Sequence, residues 1–269
     1  MSSLAATFSD SVVITKRNLI KVKRVPDLIV FATLSPIMFV LLFRYVFGGA
    51  IGGLPPGVSY AEFLLPGIFA QTIVLGSTTT GASIAEDLQK GLIDRFRSLP
   101  MARSAVLVGR TVADLGLNAI SIVVMGLTGL VVGWRINSSV GEAVAGFFVL
   151  LLFAYAVSWL MALVGLLVRT PEVVNNASFM VIFPLTFVAN TFVPLESFPS
   201  ALRTFAEWNP VSAVVQAARD LFGNSSPLSP VPDAWSLQNP VLYTLIWVVL
   251  ILAVFVPLSV RSYGRAAGR

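Results

Sequence analysis

The sequence predicts an all-α integral membrane protein, and three observations carry that expectation: its composition, six long apolar segments, and a one-sided distribution of basic residues. Of 269 residues, 56% are hydrophobic and 12% charged. An ordinary soluble domain carries about twice that charged fraction. The mean hydropathy of +0.86 agrees. A soluble domain of this size has no core able to hide so much apolar surface. A bilayer is itself an apolar solvent, and it forces backbone polar groups into internal hydrogen bonds, so helices follow. The chain has no cysteine and no histidine. Disulfides and thiolate sites are thereby excluded, together with the usual general base and zinc ligand, so no catalytic residue and no metal site is assigned.

Six segments reach the roughly 20 residues that span hydrocarbon: approximately 28–47, 64–85, 112–133, 144–168, 176–194 and 241–260. Within those limits only Arg44 and Asp114 are charged. Arg44 lies near enough to the end of its span to snorkel. Pro184 and Pro194 interrupt the fifth segment. The N-terminus has about 25 polar and basic residues before the first span, unlike the short basic region and short apolar core of a cleavable signal, so residues 1–25 read as mature protein.

Orientation follows from lysine and arginine placement. With the N-terminus inside, fourteen of these residues fall on the cytoplasmic side. Only Arg44, Arg135, Arg203 and Arg219 fall outside. Both termini are therefore expected in the cytoplasm. The net charge of +5 is explained by this asymmetry without invoking nucleic acid.

Three stretches read as more than spans. Residues 8–24 are basic, with Phe8, Val12, Thr15, Leu19 and Val22 at helical spacing, and Pro26 marks a break. This predicts a cytoplasmic N-terminus, 1–27, with an interfacial amphipathic helix on membrane lipids. The second stretch is the cytoplasmic loop 86–103. Ser83 and Glu86 have the spacing of a capping box, Leu88, Leu92, Phe96 and Leu99 form one apolar stripe, and Pro100 ends the helix. Such a helix either docks on a partner or packs as a connector on its own bundle. The third is the outward segment 195–240. Leu202, Phe205 and Trp208 form one apolar face. Val211, Val214, Val215, Ala218 and Phe222 form another, opposite Gln216, Arg219 and Asp220, and Asn209-Pro210 makes the corner. These features predict a re-entrant-like helical hairpin dipping into the outer leaflet, followed by an irregular linker over 223–235. Residues 261–269 form a cytoplasmic tail.

Few polar residues interrupt the spans. Arg110 and Asp114, at i and i+4, read as a structural ion pair, with a proton relay as the alternative. Gln71, Thr72 and Thr79 in the second span, and Asn176 and Asn190 in the fifth, serve either helix packing or a translocation path. Phe69, Phe179 and Phe183 would supply aromatic surface to that path.

Over nearly its whole length the chain resembles the permease subunit of ATP-binding-cassette (ABC) type-2 exporters, most closely the bacterial daunorubicin/doxorubicin-resistance-type drug-efflux permeases. The most specific match is DLQKGLIDRFRSLPMARSAVLVGRTVADL, residues 87–115, and NPVSAVVQAARDLF, residues 209–222, is a softer one. The resemblance implies an ABC type-2 transmembrane domain over 28–260 and an ATPase-coupling helix within 86–98. Glu86, Asp87, Asp94, Arg95, Phe96 and Arg97 would form that contact, and the polar and aromatic positions of spans two and five would face the path. It also implies two copies of an ATPase subunit and a second permease, as homodimer or sister subunit. The sequence contains no G-x-x-x-x-G-K-[ST]. Hence no cofactor is expected on this chain, and ATP and Mg belong to the partner ATPase.

The expected activity is export of a hydrophobic or amphiphilic drug or antibiotic from a bacterial cell, by a multi-pass protein of the plasma (inner) membrane that is not itself an enzyme. Export of a lipid, glycolipid or polysaccharide is the alternative cargo, and a proton-coupled secondary carrier is the alternative class. Fourteen arginines against four lysines hint at a high-GC bacterium.

Overall fold

A computed structural model describes residues 10–18, 20, 26–48, 54, 57–92, 103–168, 170–226, 228 and 232–266. Among them every regular element is helical and no strand occurs. Helix α1 (residues 10–18) precedes α2 (Pro26–Leu42), which runs into a π-turn (Phe43–Phe47). Then come α3 (Tyr60–Gly76), α4 (Thr78–Gln89), α5 (Arg103–Val131), α6 (Val140–Leu167) and α7 (Pro171–Phe187). The chain closes with α8 (Ser200–Trp208), α9 (Pro210–Phe222), the short α10 (Trp235–Gln238) and α11 (Pro240–Ala266).

Among the described residues, four stretches are long and apolar enough to cross a membrane: Tyr60–Gln89, Ser104–Val131, Val140–Leu167 and Pro240–Arg265. The first and fifth expected spans are shorter helices, α2 and α7, of 17 residues each. At 1.5 Å per residue such a helix covers about 25 Å, short of a hydrocarbon core of about 30 Å. The π-turn lengthens the first.

The fifth element also starts earlier than its hydropathy predicts. The Thr170 side chain accepts from Val173 N at 3.3 Å and Pro171 takes the first helical turn, so the helix begins at 171 and closes at Phe187, where Val188 N returns to Pro184 O.

The predicted capping box at Ser83 and Glu86 is not formed, because Ser83 lies inside α4 with no free helix start to cap. Capping boxes stand instead at Ser59–Glu62, opening α3, and at Ser139–Glu142, opening α6, where the cap residue has the extended backbone the motif needs. The expected continuous helix through Leu88 and Leu92 is also interrupted. Helix α4 ends at Gln89, and Gly91 takes a left-handed φ of 63°, as at many helix C-termini. Residues 93–102, including Asp94, Arg95, Phe96 and Arg97, lie outside the described residues.

Burial does not follow hydropathy among these stretches. The Tyr60–Gln89 stretch has the lowest hydropathy of the four, 1.2, and is 78% buried, whereas Pro240–Arg265 has the highest, 2.7, and is 17% buried. Lipid tails solvate apolar side chains as well as a protein core does, so the polar positions are the ones the bundle gathers inside. Helix α6 is the hub, packed by α11, α4, α9 and α5. Its crossing with α4 is close: a Cβ on Gly165 would stand 2.2 Å from Gly81 O, and one on Gly81 2.6 Å from Met161 O.

Helix α1 lies against the start of α5. Ile14 is buried there, Thr15 Oγ1 donates to Gly109 O at 3.2 Å, and Val12 and Val13 stay exposed. The helix expected at the interface thus has one face on the bundle and turns Val12, Val13, Lys16 and Arg17 outward.

The α8–α9 hairpin has the expected corner. Asn209 Oδ1 accepts from Val211 N at 2.9 Å, while its Nδ2 donates to Leu185 O at 2.7 Å and Val188 O at 2.8 Å. The expectation that Arg219 faces away from the apolar side is overturned. Arg219 is buried, and donates from Nε to Phe63 O at 2.9 Å and from Nη2 to Asn190 O. It lies four residues after Val215 and three before Phe222, on the face that both bury, so helical geometry overrides its charge.

Candidate functional site

The break between α3 and α4 shapes the site. Ser77 Oγ donates to Ile73 O at 2.7 Å and to Ala154 O at 3.2 Å, so the hydroxyl satisfies a carbonyl at the kink and ties the kink to α6. Next to it, Gly76 admits Asn118 of α5 so closely that a Cβ would lie 2.4 Å from its Oδ1.

Between α2, α3–α4 and α5 this leaves a cavity of about 240 Å³. Its lining is mostly apolar, including Phe39, Ile68, Leu75 and Leu117, and Gln71, Thr72, Thr79, Asp114, Asn118 and Ser121 set polar groups among them. Ser35 and Thr79 are exposed at its rim.

Asp114 is nearly inaccessible and accepts from Thr80 Oγ1 at 2.7 Å. Arg110 Nε lies 3.4 Å from the same Oδ2, with 13% of the arginine side chain exposed. A carboxylate in apolar surroundings requires both a counter-charge and hydrogen bonds, and here it has them. Arg110 also reaches a small crevice lined by Ile14, Arg17, Asp87 and Tyr263, where α1, α4, α5 and α11 converge. Glu86, one turn before the α4 terminus, forms an exposed i,i+4 pair with Lys90. That hydrogen bond raises the lysine's pKa above its ordinary value.

The eight residues expected along a path do not share one surface. Gln71, Thr72 and Thr79 line the cavity. Phe69 is fully buried in an aromatic cluster with Trp134, Phe147 and Phe222, at centroid distances of 5.3, 6.1 and 6.1 Å. Asn190 is buried under the hairpin, its N–H donating to Ser212 Oγ at 3.2 Å. Asn176 and Phe179 are exposed on α7, and Phe183 stacks between Phe179 and Phe187 at 4.8 and 4.1 Å. Helix α7 buries only a stripe at Val174, Ser178, Ile182 and Thr186. Sequence reasoning missed Asn118 and Ser121. Their spacing of four and seven from Asp114 places all three on one helix face, a signal that was available.

The sequence pattern of the family described as ABC-2 type transporter matches residues 10–222. The chain belongs to the ABC-2 type transporter family. Over 247 residues it is 32% identical to a daunorubicin resistance ABC transporter permease protein of Streptomyces coeruleorubidus, covering 92% of this chain and 83% of that one. A probable doxorubicin resistance ABC transporter permease protein of Mycobacterium tuberculosis is 25% identical over 89% of this chain and 82% of its own length. A putative transport permease of Cyanophora paradoxa is 26% identical, with 80% and 74% covered. The ABC-2 match includes α1, the α4 terminus and α9, so the docked N-terminal helix and the second arm of the hairpin belong to the family's domain.

Proposed function

We propose that this chain is the membrane-spanning permease of an ATP-driven exporter and that its cargo is a hydrophobic or amphiphilic compound. The observation that carries the reading is 32% identity, over nearly the whole chain, to a permease named for daunorubicin resistance. The cavity between α2, α3–α4 and α5, mostly apolar with a few polar groups, supports an amphiphilic cargo. In this reading six segments cross the plasma membrane, α2 with its π-turn and α7 included, and both termini are cytoplasmic. The segment 86–98 engages a separate ATPase subunit that holds ATP and Mg. Two permeases and two ATPase subunits make the working assembly. Closure of the ATPase pair moves the coupling segment, α4 transmits the motion past the Ser77 break, and the halves rock between inward and outward openings.

The test is dye and antibiotic efflux from cells expressing the permease with its ATPase, against cells carrying D94K/R95E. Efflux that needs ATP and is lost in the double variant, with membrane insertion intact, is expected. Efflux unchanged by that variant, or abolished by a protonophore at constant ATP, would overturn the reading. An altered lipid profile without drug efflux would redirect the cargo to a lipid.

A further inference from the structure

We propose that the cavity between α2, α3–α4 and α5 is a binding site for an uncharged amphiphile, whose polar atoms are received by the side-chain amide of Gln71. The inference rests on the permease reading and specifies the chemistry the site accepts.

Gln71 is 3% exposed and lines the cavity, and among the described residues its Nε2 has no hydrogen-bond partner. Buried amide nitrogens are nearly always paired, because an unmade bond in low dielectric forfeits the full cost of desolvation. An amide offers both donor and acceptor, and turning it end over end exchanges the two. A ligand bearing a carbonyl or an N–H next to an apolar ring satisfies it from the cavity.

Charge selects against ions. Asp114 is the one charged side chain lining the cavity among the described residues. It is already held by Thr80 at 2.7 Å and by Arg110 at 3.4 Å. Arg110 already neutralises that carboxylate, so an entering cation finds no unpaired counter-charge, and an anion would meet the carboxylate directly. Both would also leave water for an apolar lining at Phe39, Ile68, Leu75 and Leu117. The size fits as well. A dry cavity of about 150 Å³ takes a benzene ring, and about 240 Å³ takes a larger fused-ring system.

The test uses the full-length protein in phosphatidylcholine nanodiscs without the ATPase, and two fluorescent probes on one three-ring frame. Acridone is uncharged, with a carbonyl and an N–H. The second probe, 9-aminoacridine, is a cation at neutral pH. Saturable acridone binding is expected, at least roughly tenfold tighter than 9-aminoacridine and weakened roughly tenfold in Q71L, as loss of a buried hydrogen bond implies. S121F, which fills the cavity from the α5 side, should abolish it, so the proposal stays testable if Q71L misfolds. Acridone binding that is absent, or untouched by either variant, overturns the proposal. So does tighter binding of the cation, relieved by D114N, which would make this a cation site. Failure here with ATP-dependent efflux intact removes the site and leaves the permease reading standing. Acridone binding intact with no efflux does the reverse.

Discussion

Arg219 on the α8–α9 hairpin donates from Nε to the carbonyl of Phe63 at 2.9 Å, and its guanidinium carbon lies 3.7 Å from the centre of the Phe63 ring. With a second arm on Asn190 O, one side chain joins α9, α3 and the turn after α7. Hydrogen bonds from a buried charged donor contribute about 1.5–3 kcal/mol each. R219M should therefore cost about 2–4 kcal/mol in denaturant-induced unfolding in detergent. R219K should recover little of it, because one ammonium cannot reach carbonyls placed for a planar fork. Wild-type stability in R219M would remove this residue's role as a fastening.

Asp114 gives a second, separable prediction. Removing one member of a buried pair is costlier than removing both, since a lone charge remains. D114A leaves Arg110 beside apolar surface, although its 13% exposure lets it swing toward headgroups. D114A should destabilise by about 2–4 kcal/mol, with R110A/D114A more stable than D114A alone. Adding T80A should show a positive coupling to D114A, because Thr80 Oγ1 donates to the same carboxylate oxygen. Simple additivity across the three positions would mean that they do not act as one network.

The all-helical class, four of the six expected spans and the corner of the hairpin were legible, because apolar length and Asn209-Pro210 are local signals. Burial was not. Hydropathy ranks α11 first among the spans, yet it is the least buried of the four. In a bilayer apolar surface is content on either side, and only contacts between helices decide which face turns inward. Arg219 was misplaced for the same reason, since charge suggested a wet face while its register with Val215 and Phe222 put it in the core. The spacing of Asp114, Asn118 and Ser121 did mark polar groups of the cavity's lining. The dispersal of Phe69, Asn190 and Phe179 into three environments was invisible, because it depends on how α7 and α9 seat against α3.

The end of the bundle formed by α8, α10 and the start of α11 carries a run of aromatic contacts. Trp208 meets Tyr243 at 6.1 Å, Trp235 meets Tyr243 at 6.0 Å, and Tyr243 meets Trp247 at 6.3 Å. Trp208 is 49% exposed beside the exposed Leu202 and Phe205, whereas Trp134 is 1% exposed. Tryptophan and tyrosine favour the headgroup level, where an apolar ring and a polar N–H or O–H are both accommodated. Single-tryptophan proteins in vesicles of brominated lipid should show strong quenching of Trp208, greatest with bromines nearest the headgroups, and little quenching of Trp134. Trp208 unaffected by brominated lipid but quenched by aqueous iodide would place α8 in water, outside the leaflet.

The crossing of α4 and α6 is the tightest test of the bundle. At Gly165 the nearest atoms to an added Cβ are the backbone O, C and Cα of Gly81, at 2.2, 2.8 and 2.8 Å, so no side chain can rotate aside. Relief requires the helices to part, which would also stretch the Ser77 Oγ contact to Ala154 O on the same pair of helices. Small residues let membrane helices gain contact along their backbones, and overpacking such a seam costs about 1–3 kcal/mol. G165A should lower the thermal midpoint in detergent, and G165V should lower it further. G126A, where the added Cβ meets nothing within 4 Å, should be close to neutral. Because α4 leads from the cavity to the segment proposed to meet the ATPase, G165A should also reduce ATP-dependent efflux per folded molecule, whereas G126A should not. Equal melting and equal efflux for G165A and wild type would show that α4 and α6 are not held in this register.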